Sequence, residues 1–481
     1  MKRIKSLFAA VACVSAAVTI AHAQEKYTPD MANLATHRLP EWIQDAKIMI
    51  HYVGEPKDFD DKTYAIWNVI EQRRRKICLA NDLPVVTEPK DLQKVMDLYK
   101  KTGAKVLVSE LYGAYPGTEG LIMTGNEIEM ARKNGFYVGV HYNQLQREAQ
   151  VQPHSRPLYE MEEKTGEEYD WGQDNDPTFD SVWQKAVQEE IQRTDADFLF
   201  FDGARVPLRF LKANELVAWY YNWADSRGKE VWVNDDWGLE TQEHSPHPVG
   251  DITDIETRLY RGIPAKPYIN WDILTNEWNC WINEFGLHKY NGVKWEWRYE
   301  TVKSKIRILS CLISQGGIWK VQMVNTKQAW DMMFEIGKWL EVNGEAIYGT
   351  RPLLPVNEDN TLIRPGKGQE VRPDGKIAYF TELILREEEK VAKEAGPIYF
   401  TQKAKEGLIF AIYCPEGPDV TALPAVLDIK LPQAVPVTKI ELLGSKEKVT
   451  FKQKGDVVSV NVPANAGEQY AYSFKLTKKA K

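Results

Sequence analysis

From residue 46 onward, short runs rich in β-branched and aromatic residues alternate with longer stretches whose apolar positions recur at helical spacing. Lys47–Tyr52, Lys105–Leu111, Phe136–Asn143, Asp197–Gly203, Glu230–Asp235, Ile252–Thr257, Pro267–Trp271 and Ile318–Val324 read as strands. Between them, Asp91–Lys101 puts Leu92, Val95, Met96, Leu98 and Tyr99 on one side of a helix. Phe179–Arg193 does the same with Val182, Trp183, Ala186, Val187 and Ile191, and Leu211–Arg227, Val302–Ser314 and Lys327–Asn343 behave similarly. Glycines stand where helices should stop, as at Thr102-Gly103, Asn134-Gly135 and Gly316-Gly317. About eight β/α alternations over some 300 residues favour a (β/α)8 TIM-like barrel over a doubly wound sheet.

The pattern changes after the helix that ends at Asn343. Residues 349–370 are rich in Pro, Gly and Asn, and no helical periodicity follows Ala395. Seven short strands come instead: Ile398–Thr401, Leu408–Tyr413, Ala425–Lys430, Val437–Leu442, Val449–Lys452, Val457–Val462 and Ala471–Leu476. Turn signals such as Pro-Glu-Gly-Pro separate them, which predicts a C-terminal antiparallel β-sandwich. The expected division is a barrel domain over 24–352, an irregular connection over 353–395 and a sandwich over 396–481. Residues 1–23 read as a secretory leader: Lys2, Arg3 and Lys5 precede an apolar stretch from Leu7 to Ile20, and Ala21-His22-Ala23 supplies the small residues of a cleavage site. This predicts export to the periplasm or the exterior. No later run reaches the roughly 18 apolar residues of a membrane span.

Composition narrows the function classes. With 43% hydrophobic and 27% charged residues the chain is neither disordered nor a disulfide mini-protein. The formal charge is −7, and loss of the three leader cations makes it −10. Such an acidic protein lacks the electrostatic footprint of a nucleic-acid binder. The 16 Trp and 22 Tyr hint at sugar stacking, although large cores use them too. Cys78, Cys280, Cys311 and Cys414 form no CxxC pair, so a zinc site is unsupported and a disulfide is left open.

Barrel chemistry sits at the carboxyl ends of the strands. Asp202 follows the apolar run Phe198–Phe201 and precedes Gly203, which holds a carboxylate rigidly at the mouth; on pattern alone a helix cap or an ion pair with Arg205 serves as well. The next runs end in Asn234-Asp235-Asp236 and carry Asp251, Asp254 and Glu256. No spacing of His, Asp and Glu resembles a metal site, neither GxSxG nor a P-loop occurs, and no cofactor is implied. Two carboxyls facing each other across the mouth are what glycosidases require.

Several segments resemble glycoside hydrolase family 29, the retaining α-L-fucosidases. The most specific is Ile336–Pro352 (IGKWLEVNGEAIYGTRP), which is similar nearly letter for letter to the family's segment leading from the last barrel helix towards the sandwich. Leu309–Gly317 resembles the junction before it, Trp42–His51 the first-strand motif, Leu199–Gly203 the nucleophile strand and Asp254–Arg258 the acid/base segment of some members. The resemblance implies that Asp202 is the nucleophile, that Glu256 is the acid/base with Glu243 and Asp254 as rivals, and that His51 binds sugar hydroxyls. Asn234 falls in the strand that follows the nucleophile strand, and Trp237 joins Trp232 and Trp271 as candidate pocket walls.

One departure stands out. Where the family has His-His-Asp-Gly-Phe after the second strand, this chain has Ser109-Glu110-Leu111-Tyr112-Gly113-Ala114-Tyr115. Loss of two hydroxyl-binding partners changes sugar discrimination strongly. Glu110 and Tyr112 are candidate replacements, and His141 on the third strand is another. The expected function is an exo-acting retaining hydrolase of terminal α-L-fucose on glycans. A related glycosidase for L-galactose or substituted fucose, and a carbohydrate-binding pseudo-enzyme, fit the same residues.

Overall fold

The computed structural model describes residues 37–59, 61–111, 120–143, 177–202, 213–235, 250–254, 259, 263–264, 267–274, 301–353, 370–371, 377–378, 391–417 and 420–479. Eight parallel strands, β1 (Ile48–His51), β2 (Val106–Glu110), β3 (Tyr137–Asn143), β4 (Phe198–Asp202), β5 (Trp232–Val233), β6 (Thr253–Asp254), β7 (Tyr268–Ile273) and β8 (Ile318–Gln322), form one sheet. They pair in the order β5-β4-β3-β2-β1-β8-β7-β6. A parallel bridge between Asn234 and Ile252 joins the two outer strands, and the Asp251 N–H donates to the Val233 carbonyl at 2.9 Å. The expected (β/α) barrel is therefore present, with all eight anticipated strands. The fifth, at two residues, is shorter than the run Glu230–Asp235 suggested, and residues 255–257 of the sixth run lie outside the described residues.

Alternation along the strands sorts the side chains into two sets. Met49, Val106, Val108, Phe198, Phe200, Trp232, Ile269 and Ile318 come from six strands, and with Ile252, the residue before β6, they form one cluster, which only the barrel interior can bring together. Phe198 stacks on Trp232 with centroids 4.7 Å apart. The opposite parity (Ile48, Ile50, Leu107, Val138, Trp319 and Val321) packs outward against helices. Those helices are α1 (Glu41–Ala46), α2 (Asp61–Ala80), α3 (Leu92–Lys101), α4 (Gly125–Lys133), α5 (Pro177–Thr194), α6 (Ala213–Asp225), α7 (Val302–Ser314) and α8 (Lys327–Asn343). Thr124 starts α4 with a reciprocal capping box to Glu127.

α1 and α2 were not anticipated. The run Glu71-Gln72-Arg73-Arg74-Arg75-Lys76 is dense in charge, yet Glu71, Gln72 and Arg75 are buried. The Arg75 guanidinium donates to Glu71 at 2.8 Å and to Glu127 at 2.5 and 3.0 Å. Tyr52 donates to the same Glu127 at 2.9 Å. A buried charge is tolerated only when paired and hydrogen-bonded, and this network meets that condition across α2, β1 and α4.

The sandwich begins at β9 (Arg351–Pro352). After the short hairpin β10 (Glu370–Val371) and β11 (Ile377–Ala378) come β12 (Ile398–Lys403), β13 (Leu408–Tyr413), β14 (Thr421–Ala422), β15 (Val426–Lys430), β16 (Val437–Leu442), β17 (Thr450–Lys454), β18 (Val457–Asn461), β19 (Glu468–Gln469) and β20 (Tyr472–Lys478). A five-stranded sheet, β16-β20-β13-β12-β9, faces a three-stranded one, β15-β18-β17, across an apolar core that includes Phe410's neighbours Ile409 and Ala411 with Ile429, Val458, Val460 and Phe474. The segment Ile336–Pro352 proves to be the joint. Gly337 permits α8 to lie against α3, because a Cβ there would stand 1.7 Å from the Lys101 carbonyl oxygen. Trp339 donates its indole N–H to the Ala471 carbonyl at 2.9 Å, and Thr401 donates to the Ala346 carbonyl at 2.8 Å.

Among the described residues no helix is long and apolar enough to cross a membrane. Among the described residues Cys78, Cys311 and Cys414 form no disulfide, and burial pushes Cys414 up to about 12. Cys280 lies outside the described residues.

Lys47, at the amino end of β1, is buried. Burial, reinforced by the Arg351 guanidinium and opposed by Asp45, pushes its amine down to about 7 from 10.5. Below pH ~7 both folded and unfolded chains hold this proton, and the cost of the buried charge is fully present. Between the two values only the unfolded chain holds it, so stability rises with pH across that window. Lys47→Met should therefore stabilise the fold by on the order of a few kcal/mol near pH 6, with the gain fading towards pH 10, as read from urea melts at both values.

Candidate active site

Directly above the apolar interior layer, the same inward parity places His51 at the end of β1, Glu110 at the end of β2 and His141 in β3. Parallel pairing sets Glu110 level with His141. All three are buried, with exposures of 0%, 1% and 0%. His141 Nδ1 stands 2.7 Å from Glu110 Oε1, and the two imidazoles meet edge to face with centroids 5.2 Å apart. His141 also packs against the Phe200 ring at 5.2 Å. Over that ring sits the ammonium of Lys320, 3.9 Å from its centroid, projecting from β8.

The backbone of the 120–122 segment completes this layer. Gly120 N–H donates to His51 Nδ1 at 3.3 Å. Only glycine allows that approach, because a Cβ at position 120 would lie 2.6 Å from the Tyr52 carbonyl oxygen. Gln72 of α2 grips the segment at both ends, donating to the Gly120 carbonyl and accepting from Ile122 N–H at 3.2 Å. The charged run missed as a helix thus holds the backbone that meets His51 Nδ1.

Asp202 is described through its backbone. It is the last residue of β4, in phase with Phe198 and Phe200, and it pairs with Asn143 of β3. Asn234, expected to touch a ligand, has a structural task. Its Oδ1 accepts from Phe201 N–H at 2.7 Å and its Nδ2 donates to the Phe201 carbonyl at 2.6 Å. The amide continues the β4–β5 pairing one step past the end of β5, and it braces the residue just before Asp202. Asp235 Oδ1 accepts from Asp254 N–H at 2.9 Å, which ties the end of β6 to the same corner. Trp232 belongs to the barrel interior rather than to a pocket wall. Glu256, Glu243, Tyr112 and Trp237 lie outside the described residues, as does the side chain of Trp271.

Lys320, Gly120 and Gln72 escaped the reading of the sequence. Lys320 carried a signal: a lone charge at inward parity inside the apolar run Ile318–Val321 has to face something polar. The other two are defined only by contacts between segments far apart in the chain. Among the described residues, His51, Glu110 and His141 are also a group that could hold a metal ion, with donor atoms within 4.8 Å of one another. No spacing of 51, 110 and 141 announces this. Chemically the layer offers one carboxylate, one ammonium and two imidazoles in a dry, rigid ring, a set suited to reading hydroxyl groups.

A closed parallel barrel with a polar layer at the carboxyl ends of its strands and a sandwich docked on its last helices defines a class of barrel proteins whose chemistry lies at the mouth. Within that class, residues 123–345 match the family model described as Alpha-L-fucosidase. The human tissue alpha-L-fucosidase is 22% identical over 516 residues, covering 96% of this chain and 95% of that protein. The mouse enzyme is 21% identical over 95% of this chain and 96% of its own. Among solved structures, Thermotoga maritima alpha-fucosidase in complex with fucose superposes with a TM-score of 0.56 at 18% identity, covering 94% of this chain and all (100%) of that one. An alpha-L-fucosidase from Bacteroides thetaiotaomicron gives 0.55 at 15% identity, with 92% and 96% covered. The chain belongs to the alpha-L-fucosidase family, glycoside hydrolase family 29.

The brace on β4 has a direct test. Asn234→Ala removes both hydrogen bonds to Phe201, each contributing about 1 kcal/mol. The Phe201 amide should exchange its hydrogen roughly 10-fold faster or more in the variant, by mass-spectrometric hydrogen exchange, while amides of the sandwich keep their protection.

Proposed function

We propose that the protein is an exo-acting retaining glycoside hydrolase that removes terminal α-L-fucose, or a closely related sugar, from glycans. The observation that carries this reading is the place of Asp202: it ends β4 beside the buried polar layer, inside the stretch that matches the family. The backbone of Asp202 is held by strand pairing with Asn143, and the residue before it, Phe201, by the Asn234 brace. One of the Thermotoga maritima structures was solved with a mechanism-based inhibitor, which agrees with a nucleophile that forms a covalent adduct.

In the first step the Asp202 carboxylate attacks the anomeric carbon. The bond from that carbon to the leaving oxygen breaks, and Glu256 supplies the proton to the departing alcohol. In the second step Glu256 takes a proton from water, whose oxygen displaces the Asp202 carboxylate and releases the sugar with net retention. Glu243 and Asp254 are the alternatives to Glu256. No step calls for a metal or an organic cofactor. The lost His pair, with Glu110 and Tyr112 as candidate replacements, makes L-galactosides a substrate class beside L-fucosides, since the hydroxyl-reading layer differs from the family pattern. Residues 1–23 support export to the periplasm or the exterior, where fucosylated glycans are met.

The test is hydrolysis of aryl α-L-fucosides and α-L-galactosides. Asp202→Ala should lose roughly 10³-fold or more in kcat/KM, about 4 kcal/mol of transition-state stabilisation. A 2-fluoro-fucosyl fluoride should leave an adduct that peptide mass spectrometry places on Asp202. An active Asp202→Ala variant, or an adduct on another residue, overturns the reading.

A further inference from the structure

We infer that Glu110 is a positioning residue that selects one tautomer of His141, and that His51 and His141 together form a two-edged clamp for a single sugar hydroxyl. The inference rests on the glycosidase reading above and assigns a task to Glu110, a residue at which this chain departs from the family pattern.

The argument is one of proton placement. Glu110 Oε1 lies 2.7 Å from His141 Nδ1. A carboxylate is an acceptor only, so that nitrogen carries the proton, and in the neutral ring Nε2 then holds the lone pair. His51 is set the opposite way. Its Nδ1 faces the Gly120 N–H at 3.3 Å, and a backbone N–H can only donate. The lone pair of His51 is therefore on Nδ1, and its proton is on Nε2. The two rings stand 5.2 Å apart at 76°, one with an accepting Nε2 edge and the other with a donating one.

A hydroxyl is the group that satisfies both edges at once: its O–H donates to His141 while its oxygen accepts from His51. An ammonium satisfies only the first, a carboxylate only the second, and a deoxy carbon neither. Without Glu110 the His141 proton is free to sit on either nitrogen, and in the Nε2-protonated tautomer both rings present a donating Nε2 edge. The Lys320 ammonium, which shares the Phe200 ring with His141, opposes a divalent cation in this layer, so a hydroxyl fits the donor set better than a metal does.

The experiment compares kcat/KM for aryl α-L-fucoside and its 2-, 3- and 4-deoxy analogues in wild type, Glu110→Gln and Glu110→Leu. In wild type one of the three deoxy substrates should fall roughly 10²-fold or more below the parent, since a site built around a hydroxyl rejects the analogue lacking it. Glu110→Gln keeps an oxygen to accept from Nδ1–H and should preserve that ratio. Glu110→Leu should shrink it to less than about 10-fold while the ratios for the other two positions stay put, which a merely structural loss would not do. Should the leucine variant fail to fold, Glu110→Leu with His141→Phe replaces both partners by apolar groups and leaves no buried charge alone; it should show the same collapsed ratio. An unchanged ratio in the leucine or double variant overturns the inference alone. Wild-type protein that binds one equivalent of Zn²⁺, released by the double change, also overturns it. Failure of wild type to cleave any fucoside removes the underlying glycosidase reading, and the inference falls with it.

Discussion

A carboxylate that is 1% exposed at the end of a barrel strand must be hydrogen-bonded or give up its charge, and much of the mouth is arranged around that constraint. Parallel register sets His141 level with Glu110, close enough for a 2.7 Å contact. The partner imidazole on β1 is oriented from the other side by a backbone N–H, and that backbone is held by Gln72 of a helix far away in the chain. The layer is held for a physical reason: Glu110, the Nδ1 edge of His141 and the Nδ1 edge of His51 each face a neighbour fixed by strand pairing or by a buried hydrogen bond.

The same economy of fixed partners extends to the helices and the sandwich. Asp272 of β7 accepts from Lys305 of α7 at 2.6 Å and from the Trp319 indole of β8 at 2.8 Å, with the ion pair wholly buried. This ties two strands and a helix at one height, and β8 carries Lys320 into the mouth. Behind α7, the Arg307 guanidinium reaches the carbonyls of Cys414 and Pro415 and the Glu416 carboxylate in the sandwich. The sandwich is thus a backing plate for the strand that presents the cation, which explains why the joint Ile336–Pro352 is so specific in sequence although it contains no chemistry.

Legibility differed by kind of feature. Apolar strands in a parallel barrel are covered on both faces and read as continuous hydrophobic runs, so all eight were visible before any coordinates. α2 was hidden because Glu71 and Arg75 neutralise each other and Glu127 only after folding. Asn234 looked like a ligand contact because a polar residue at a strand end normally faces the mouth, whereas its amide continues a sheet that the short β5 leaves incomplete.

Periodicity and turn residues were enough, without coordinates, to settle a barrel followed by a sandwich and to put Asp202 at the end of its fourth strand. Those signals are local: each depends on which neighbours in the chain are apolar. The pairing of Glu110 with His141, the orientation of His51 by Gly120, and the approach of Lys320 to Phe200 join positions 31 to 120 residues apart. A hydrogen-bond partner is chosen by distance in space, and distance in space between such positions exists only once the sheet has closed.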